Sequence, residues 1–483
     1  MKNVGFAFFL SAIVVFPGEV FSSLERLRTF FNENLTKCLI DIILCIRYLF
    51  GKVIQMKEYV VKKAEKPFDI CVSVPGSKSI TNRALLMAAM GEGETVLHGV
   101  QFSEDSNFFL KALEDMGFEV NADKVYNIVK IRGMSGDIPY REAYIYVGSA
   151  GTAARFLTAF AAMNEGTYTL EASDQMKKRP MKELLEVLEK LGAKFEWLGE
   201  EYSFPMKVRG VKRQHKDEVV ALNIDRSSQF LSALLMTAPI AFNSVTINLT
   251  GKRDARSYVE MTEQMMKQFG HQGVERLGAD CYKVCRGSYN ASDYQIEPDV
   301  SAACYFYAMA AVMGGSAKVN HIAKNSLQGD MKFIDILVNM GCRAEWTDTG
   351  LKLYAPNDGI LKGIDVNMAD FSDQTLTLAA IAPFADSPVT IHGVAHIRGQ
   401  ESDRVKVIVT ELGRMGIKCD ELEDGVVIYP GLPKPAKIET YNDHRVAMSF
   451  AVTGIVTGGI KIDNPMCCSK TFAGYFDILD NLY

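Results

Sequence analysis

Basic residues recur where the sequence predicts the starts of six helices, each opened by a polar or glycine-rich turn and continued by small apolar residues. The turns begin near Ser77, Gly151, Ser227, Asp299, Asp373 and Asp443. The cations beside them are Lys78, Arg83, Arg155, Arg226 and Arg445. A helix start carries unpaired N–H groups and partial positive charge, and guanidinium groups match carboxylate and phosphate in geometry. Any one cation alone fits a solvated surface charge, but their equivalent positions favour a pocket for a ligand with several anionic groups.

Two acidic residues could add proton transfer to that pocket. Asp373 opens one of the helices, and Glu401 lies beside Arg404 in HIRGQESDR. A carboxylate among cations stays ionised and can act as a base, whereas one that faces anions has a raised pKa and can donate a proton. For Asp373 alone, a helix N-cap is the alternative reading. Spacing does not decide whether either acid pairs with His444 or Lys470.

The elements that must position these residues come from an internal repeat. A helical stretch that ends in a hydrophobic residue and glycine, followed by a short strand, recurs along the chain, and each glycine suits a helix C-cap. The glycines are Gly117, Gly192, Gly270, Gly341 and Gly416. Six units of about 72 residues fill Met56 to Tyr483. Each unit is too small to bury its own faces, so the units must pack together as an α/β protein with buried alanine-rich helices.

Composition narrows the class of protein. With 48% hydrophobic and 23% charged residues, the 483-residue chain is neither disordered nor a disulfide scaffold. A net charge of -5 favours neither nucleic acid nor an anionic membrane as a partner. None of the ten cysteines forms a C-x-x-C pair, so we expect reduced thiols and no metal. Nucleotide-binding glycine motifs are absent from the sequence.

Residues 1–55 differ from the rest. The apolar stretch from Gly5 to Phe16 follows Lys2 but is too short to span a bilayer, and no clear cleavage site follows it. We interpret this segment as a wrongly assigned start or a poorly ordered extension. A targeting leader is the alternative.

Eight collinear motifs then place the chain beside a known family. From about residue 57 onward it carries PGSKSITNRAL, GSAGTAARFLTA, KKRPM, SSQFLSALL, SLQGDMKF, ESDR, YNDHRVAMSF and SKTFAGYF. In these motifs it resembles the EPSP synthase family of enolpyruvyl transferases. The resemblance implies a two-domain α/β fold, each domain built from three βαβαββ units, with the active site in the interdomain cleft. The expected domains are 56–77 plus 297–483, and 78–296.

The resemblance also implies a reaction. The enolpyruvyl group of phosphoenolpyruvate would be transferred to the 5-hydroxyl of shikimate 3-phosphate, a step of the shikimate pathway, without a metal or an organic cofactor. The hydroxyl would attack C2 while C3 is protonated, and phosphate would then leave. The implied catalytic residues are Asp373 as proton acceptor, Glu401 as proton shuttle and Lys78, which reaches both substrates. We expect a cytoplasmic monomer whose only partners are these substrates.

Binding roles are transferred by motif. The residues expected to bind shikimate 3-phosphate are Lys78, Ser79, Arg83, Ser227, Ser228, Gln229, Tyr258, Asp373, His396 and Gln400. Those expected to bind phosphoenolpyruvate are Lys78, Gly151, Thr152, Lys177 or Arg179, Gln229, Arg404, Arg445 and Lys470. Ala255, Gln400 and Ser149 depart from the residues that are common in the family, but none of the three removes an acid, a base or a matched phosphoenolpyruvate cation.

The sequence leaves two alternatives. The first is the related transferase that acts on UDP-N-acetylglucosamine, but that enzyme usually has Asn after the first Lys, whereas Ser79 follows Lys78 here. The second is a catalytically inactive homologue that only binds anions, and the intact Lys78, Asp373, Glu401 and Lys470 argue against it.

Overall fold

The computed structural model describes residues 58–251, 256–290 and 293–482. The expectations for the segment 1–55 and for Ala255 therefore lie outside the described residues. Within the described ranges, no helix is long and apolar enough to cross a membrane.

Helices alternate with short strands throughout the described chain. The α-helices are α1 Lys78–Met90, α2 Glu104–Asp115, α3 Gly151–Ala162, α4 Asp174–Lys177, α5 Lys182–Lys190, α6 Gln229–Ala241, α7 Arg256–Gln268, α8 Val300–Met313, α9 Lys332–Asn339, α10 Thr375–Ile381, α11 Arg404–Arg414, α12 His444–Thr457 and α13 Tyr475–Asp480. Short 3₁₀ helices cover Gly329–Met331, Ser372–Gln374, Ala382–Phe384, Ala395–Gly399 and Pro465–Lys470.

The strands are short and lie between these helices. In chain order they are β1 Glu58–Val60, β2 Phe68–Val72, β3 Gly91–His98, β4 Glu119–Asp123, β5 Ile128–Met134, β6 Glu142–Tyr146, β7 Thr167–Glu171, β8 Lys194–Trp197, β9 Met206–Arg209, β10 Asp217–Asn223, β11 Ser244–Thr250, β12 Val274–Gly278, β13 Cys281–Cys285, β14 Tyr289–Asn290, β15 Asp293–Gln295, β16 Gly315–Asn320, β17 Arg343–Thr347, β18 Gly350–Tyr354, β19 Asp365–Asn367, β20 Val389–His392, β21 Cys419–Glu421, β22 Val426–Ile428, β23 Lys437–Ile438 and β24 Lys461–Asp463.

The described strands form six small sheets with a recurring topology. In the order β10-β11-β13-β12, the first pair is parallel and the next two pairs are antiparallel. The sheets β6-β7-β9-β8, β2-β16-β18-β17 and β19-β20-β22-β21 repeat this order, and β3, β4 and β5 follow it with β14 and β15. The sixth sheet, β1-β24-β23, keeps only the parallel pair β23–β24 and adds β1 antiparallel. In four of the sheets a helix of small apolar residues joins the two parallel strands, and in the sheets that contain β3 and β16 such a helix directly precedes that strand. The recurrence agrees with the sixfold sequence repeat.

The glycines that mark the repeat adopt the conformation expected of helix C-caps. Their φ angles are positive, between 80° and 109°, a region that residues with a Cβ rarely enter. They are Gly117, Gly192, Gly270, Gly341 and Gly416.

The apolar side chains gather into two buried clusters. The first core contains residues from Ile80 to Ile296, and the second core contains residues from Tyr59 to Ile70 and from Val300 to Leu479. Helices α1, α3 and α6 pack in the first core, and α8, α10 and α12 pack in the second. Every residue of α3 is buried, as its alanine-rich sequence predicts. We call the parts of the chain packed on each core the first-core side and the second-core side.

The chain passes twice between the two sides. Strand β2 pairs with β16 on the second-core side, whereas β14 and β15, far along the sequence, pair with β3 on the first-core side. The two connecting segments run side by side, with Ser77 N donating to Glu297 O at 2.8 Å and Asp299 N donating to Pro75 O at 2.8 Å. Gly76 lies where they cross, and a Cβ there would be 1.9 Å from the carbonyl oxygen of Gly99. Only glycine fits this crossing.

Candidate active site

Five of the six helix starts line one open cavity between the two cores. The space within the cavity and its open mouth is about 830 Å³. Its wall is formed by Lys78, Ser79, Arg83, Asp105, Gly151, Thr152, Arg155, Arg179, Arg226, Ser227, Ser228, Gln229, Tyr258, Ser372, Asp373, Gly399, Gln400, Glu401, Arg404, His444 and Arg445. The first turns of α1, α3 and α12, the start of α6 and the turn before α10 therefore converge here. The sixth start, capped by Asp299, lines an adjoining cavity that shares Lys78 and Arg445 with the first.

Asp373 is held between two guanidinium groups. Arg404 Nη1 lies 3.2 Å from Asp373 Oδ1, and Arg445 Nη2 lies 2.8 Å from Oδ2. Burial alone would raise the pKa of Asp373, but the charges of Arg445 and Arg404 outweigh it and the net shift is downward. Asp373 is thus an ionised carboxylate that can accept a proton. It does not cap a helix through its side chain, so the N-cap reading of this residue is wrong.

Glu401 is surrounded by three cations. Its carboxylate lies 3.5 Å from Arg179, 3.4 Å from Lys470 and 3.0 Å from Arg404. Burial acts to raise the pKa of Glu401, yet the charges of Arg179, Lys470 and Arg404 together hold it well below its ordinary value. Without a ligand, Glu401 is therefore an ionised base. An anion that drew these cations away would raise its pKa and let it hold a proton.

Arg404 is fixed from behind by Asp443. Its Nε and Nη2 donate to the two Asp443 oxygens at 2.9 and 3.3 Å, and both side chains are buried. Ser402 Oγ also donates to Asp443, and Gln400 Oε1 accepts a hydrogen bond from Arg404 Nη1. Such a two-point contact fixes the plane of the guanidinium group. Arg404 can thus contact Asp373 and Glu401 without moving.

Lys78 connects the two sides at the start of α1. Its Nζ lies 3.3 Å from Asp105 Oδ2, a buried carboxylate at the start of α2. Its backbone N–H donates to Asp299 Oδ2 at 3.4 Å, and Asp299 also caps α8. Burial raises the pKa of Asp299. Lys78 is therefore anchored by its backbone on one side and by its ammonium group on the other.

Two buried arginines on the first-core side donate hydrogen bonds to neutral groups. Arg83 donates to Thr262 Oγ1 at 2.8 Å and to the backbone oxygen of Ser79 at 3.0 Å, and it stacks over Phe156. Burial lowers the pKa of Arg83 to about 10, so it remains charged at neutral pH. Arg155 donates to Gln229 Oε1 at 2.8 Å. Because these acceptors are neutral, the positive charge of Arg83 is left for a ligand.

Gly151 makes room for two of the guanidinium groups. A Cβ at this position would lie 2.7 Å from Arg155 Nη1 and 2.8 Å from both terminal nitrogens of Arg179. Any side chain would therefore displace Arg179, which contacts Glu401. Close approach explains this glycine, since its backbone is helical.

A buried carboxylate lies behind Arg445. Asp330 accepts hydrogen bonds from Ser301 Oγ at 2.8 Å and from Gln374 Nε2 at 3.2 Å. The Ser301 oxygen in turn accepts from Arg445 Nη2 at 3.3 Å. Burial, followed by the charge of Asp373, raises the pKa of Asp330 to about 6. Asp330 is thus linked to Asp373 in two ways. One path runs through Ser301 and Arg445, and the other through Gln374, which follows Asp373 in the chain.

Most of the residues expected from the sequence line the cavity, and three do not. Lys177 pairs with Glu171 and Asp174, so of the alternatives Lys177 and Arg179 only Arg179 lines it. His396 Nε2 contacts Ser372 Oγ at 2.8 Å, one residue behind the wall. Lys470 is buried and reaches the site through Glu401.

Sequence reasoning did not identify Asp105, Ser301 or Asp330 as part of the site. Each is distant in sequence from the cation that it supports. Only Asp330 lies in one of the motifs shared with the family, SLQGDMKF, and could have been suspected from it. Within the described ranges, no group of three His, Cys, Asp or Glu side chains is arranged to hold a metal ion.

Comparisons with known proteins show which family the chain resembles along most of its length. The family model described as EPSP synthase (3-phosphoshikimate 1-carboxyvinyltransferase) matches residues 63–479. A 3-phosphoshikimate 1-carboxyvinyltransferase of Trichormus variabilis is 43% identical over 422 residues, covering 87% of this chain and 98% of the relative. A chloroplastic enzyme of the same name from Brassica napus is 37% identical, covering 85% and 82%.

Solved structures of enolpyruvyl transferases share the fold of this chain. The EPSP synthase of Acinetobacter baumannii aligns with a TM-score of 0.72 at 25% identity, covering 88% of this chain and 98% of that one. The enolpyruvyl transferase NikO of Streptomyces tendae aligns with a TM-score of 0.68 at 13% identity, covering 88% and 96%. The two-domain α/β fold expected from the sequence is confirmed.

Proposed function

The chain belongs to the EPSP synthase family of 3-phosphoshikimate 1-carboxyvinyltransferases, and from this premise we propose how its cavity carries out the reaction. The protein is a transferase of the shikimate pathway, and its substrates are shikimate 3-phosphate and phosphoenolpyruvate. The observation that carries the proposal is the cavity itself, where five helix starts and seven cations surround two ionised carboxylates.

We assign shikimate 3-phosphate to the part of the cavity between α6 and Asp373. The hydroxyls of Ser227 and Ser228 stand at the start of α6, where backbone N–H groups favour an anion, so they suit the 3-phosphate. Arg83 and Tyr258 line the neighbouring wall and suit the ring carboxylate and hydroxyls. This places the 5-hydroxyl toward Asp373. Ser79, Gln229, Gln400 and His396 complete the proposed set.

We assign phosphoenolpyruvate to the cations around Glu401. Arg179, Arg404 and Lys470 contact Glu401, and its negative charge holds them together in the absence of substrate. Phosphoenolpyruvate brings a carboxylate and a phosphate that compete for the same cations. Gly151, Thr152 and Arg445 lie within reach of this end, whereas Lys177 is paired outside the cavity and is the weakest member of the set.

Proton transfer follows from these two assignments. Asp373 takes the proton of the 5-hydroxyl as it attacks C2 of phosphoenolpyruvate. Glu401, freed from part of its cation shell, takes up a proton when phosphoenolpyruvate binds and delivers it to C3, with Lys78 as the neighbouring donor. Phosphate leaves when C3 loses a proton again. Groups held in place by buried partners, such as Arg404 on Asp443, lower the barrier because they need not reorganise.

From the sequence we further propose the domain boundaries 56–77 plus 297–483 and 78–296. We also propose a monomeric state, a cytoplasmic location and no nucleic-acid or membrane partner. Gln400, one of the departures from the family pattern, is bonded to Arg404, so we propose that it orients that cation as well as the substrate.

Phosphate release is the experiment that tests the function. The full chain is incubated with shikimate 3-phosphate, with phosphoenolpyruvate, and with both. We expect release only with both substrates. UDP-N-acetylglucosamine in place of shikimate 3-phosphate should give none, and release with that substrate would favour the related transferase. Substrate binding without release by a folded sample would favour an inactive homologue.

A further inference from the structure

Arg226 is a cation of the cavity wall that has no role in the substrate-binding and proton-transfer scheme proposed for the reaction. It occupies the turn between β10 and α6, directly before Ser227 and Ser228, and its side chain is exposed at the cavity. The following residues fix this turn, since Ser227 N donates to Ile224 O at 3.1 Å and Ser227 Oγ accepts from Gln229 N at 3.3 Å. The backbone that carries Arg226 is therefore well held.

The other cations of the wall are already engaged within the described chain. Lys78 pairs with Asp105, Arg179 with Glu401, and Arg445 with Asp373. Arg404 contacts three carboxylates, while Arg83 and Arg155 donate to neutral oxygens. Arg226 differs from all of these, because its guanidinium makes no hydrogen bond or ion pair with any described residue. Its donors remain available.

The carboxylates of the cavity wall do not pair with the Arg226 guanidinium. Asp105, Asp373 and Glu401 each lie against another cation. A guanidinium that is free at the mouth of a hydroxyl-lined helix start matches a phosphate dianion in charge and in geometry. Arg155 also reaches the start of α6 through Gln229, but only Arg226 adds a guanidinium that no described residue already engages.

We infer that Arg226 binds the phosphate of shikimate 3-phosphate and makes the enzyme prefer the phosphorylated ring over the unphosphorylated one. The inference rests on the proposed function, which places that phosphate at Ser227 and Ser228. Arg226 closes on the phosphate from the solvent side, while the two hydroxyls hold it from the helix side. Its role is in binding and specificity, since no reacting bond lies at the phosphate.

The test compares the substitutions Arg226→Ala and Arg226→Lys with the unchanged full chain. Dissociation constants for shikimate 3-phosphate and for shikimate are measured by calorimetry, together with kcat and both KM values. Arg226→Ala should weaken shikimate 3-phosphate binding about tenfold or more and leave shikimate binding within about twofold, because only the first ligand has the phosphate. Arg226→Lys should recover part of the loss. The kcat and the KM for phosphoenolpyruvate should stay near their original values.

A matched control is Arg213→Ala, which removes an exposed arginine that pairs with Asp137 away from the cavity. It should change none of these constants. Equal affinity of Arg226→Ala and the unchanged chain for shikimate 3-phosphate would overturn the inference and leave the function intact. An equal loss for shikimate would also overturn it, as it would point to a general effect on the cavity. Failure of the unchanged chain to bind shikimate 3-phosphate would overturn the proposed function as well.

Discussion

The two sides of the cavity use charge in different ways. On the first-core side, Lys78 pairs with Asp105, but Arg83 and Arg155 donate to neutral hydroxyl, amide and carbonyl oxygens, and Ser227 and Ser228 add uncharged donors. On the second-core side, cations and acids stand in direct contact, as in the Arg404 pairs with Asp443, Asp373 and Glu401. The arginines on the first-core side can therefore bind an anion without losing an ion pair. On the second-core side the positive and negative charges are paired with each other until a ligand binds.

This difference separates binding from proton transfer. A cation on neutral partners gains little from them and can bind an anion without losing an ion pair. A carboxylate among cations has a low pKa that rises when an anion takes those cations away, so its protonation depends on substrate binding. We therefore assign affinity for the phosphorylated ring mainly to the first-core side and the acid–base steps to the second-core side.

The largest effect should come from removing the base. Asp373→Asn should lower kcat by about 10²- to 10⁴-fold, the usual contribution of a general base. Binding of shikimate 3-phosphate should change little, because Arg404 and Arg445 lose a counter-charge rather than a position. Steady-state kinetics and calorimetry check both statements. Asp365→Asn, which alters an exposed acid paired with His392, is the control and should behave like the unchanged chain.

Glu401→Gln should come next, with a loss of about 10²-fold or more in kcat. Its more specific effect is on proton uptake. Phosphoenolpyruvate binding should raise the pKa of Glu401 from well below its ordinary value, so the protein takes up protons as the ligand binds, increasingly so at mildly acid pH. Calorimetry in buffers of different ionisation heat measures this uptake. Uptake that persists undiminished in Glu401→Gln would assign the proton to another group.

A smaller effect, confined to binding, is expected on the first-core side. Ser228→Ala should weaken shikimate 3-phosphate about tenfold, since a hydrogen bond to a charged group contributes roughly 1.5 kcal/mol or more. At saturating substrate, kcat should be nearly unchanged. Ser244→Ala, whose hydroxyl contacts Asp217 at the opposite end of β11, is the matched control. A large loss of kcat in Ser228→Ala at saturation would break the division between the two sides.

The support behind Arg445 should have an effect of a few fold. Asp330→Asn and Ser301→Ala each remove part of the path from Asp330 to Arg445, so each should lower kcat about three- to tenfold. The double substitution should cost less than the product of the two, because both act through the same hydrogen bond. Fully multiplicative losses would mean that Ser301 does not transmit the effect of Asp330.

The smallest effect concerns stability. Burial, with the charges of Lys78 and Arg445, holds the pKa of His444 well below its ordinary value, so the folded protein keeps it neutral. The unfolded chain takes up that proton below about pH 6.5, so stability is lost as the pH falls from there toward the folded pKa, by at most about 1.4 kcal/mol per pH unit. Thermal unfolding of His444→Gln should show a shallower loss over this window. An identical slope in both proteins would contradict the assignment.

Much of the fold could be predicted because it rests on local signals that repeat. The five glycines with positive φ end helices in equivalent places, and the small apolar residues of α3 are buried throughout, as their sequence predicts. The swap of β2 and β14 between the two sides has no local signal. It depends on pairing between segments more than two hundred residues apart, such as Gly76 and Pro298.

The site residues also divide into those with a local sequence signal and those found only through three-dimensional proximity. The repeated helix starts pointed to Asp373 and to cations such as Arg445, whereas Glu401 and Arg404 came from motifs shared with the family. The partners that set their charge state came only from three-dimensional proximity: Asp105 lies 27 residues from Lys78 along the chain, and Ser301 lies 144 residues from Arg445. The choice between Lys177 and Arg179 likewise depends on side-chain direction, because Lys177 turns to Glu171.

Single-turnover kinetics test the division of labour most directly. Full-length protein in excess over shikimate 3-phosphate, and well above its Kd, is mixed rapidly with saturating phosphoenolpyruvate and quenched, and the enolpyruvyl product is followed for Asp373→Asn and Ser228→Ala. We expect Ser228→Ala to keep its rate within about threefold and Asp373→Asn to be slowed at least about a hundredfold. Equal slowing of the two, or a normal rate for Asp373→Asn, would contradict the assignment of proton transfer to the second-core side.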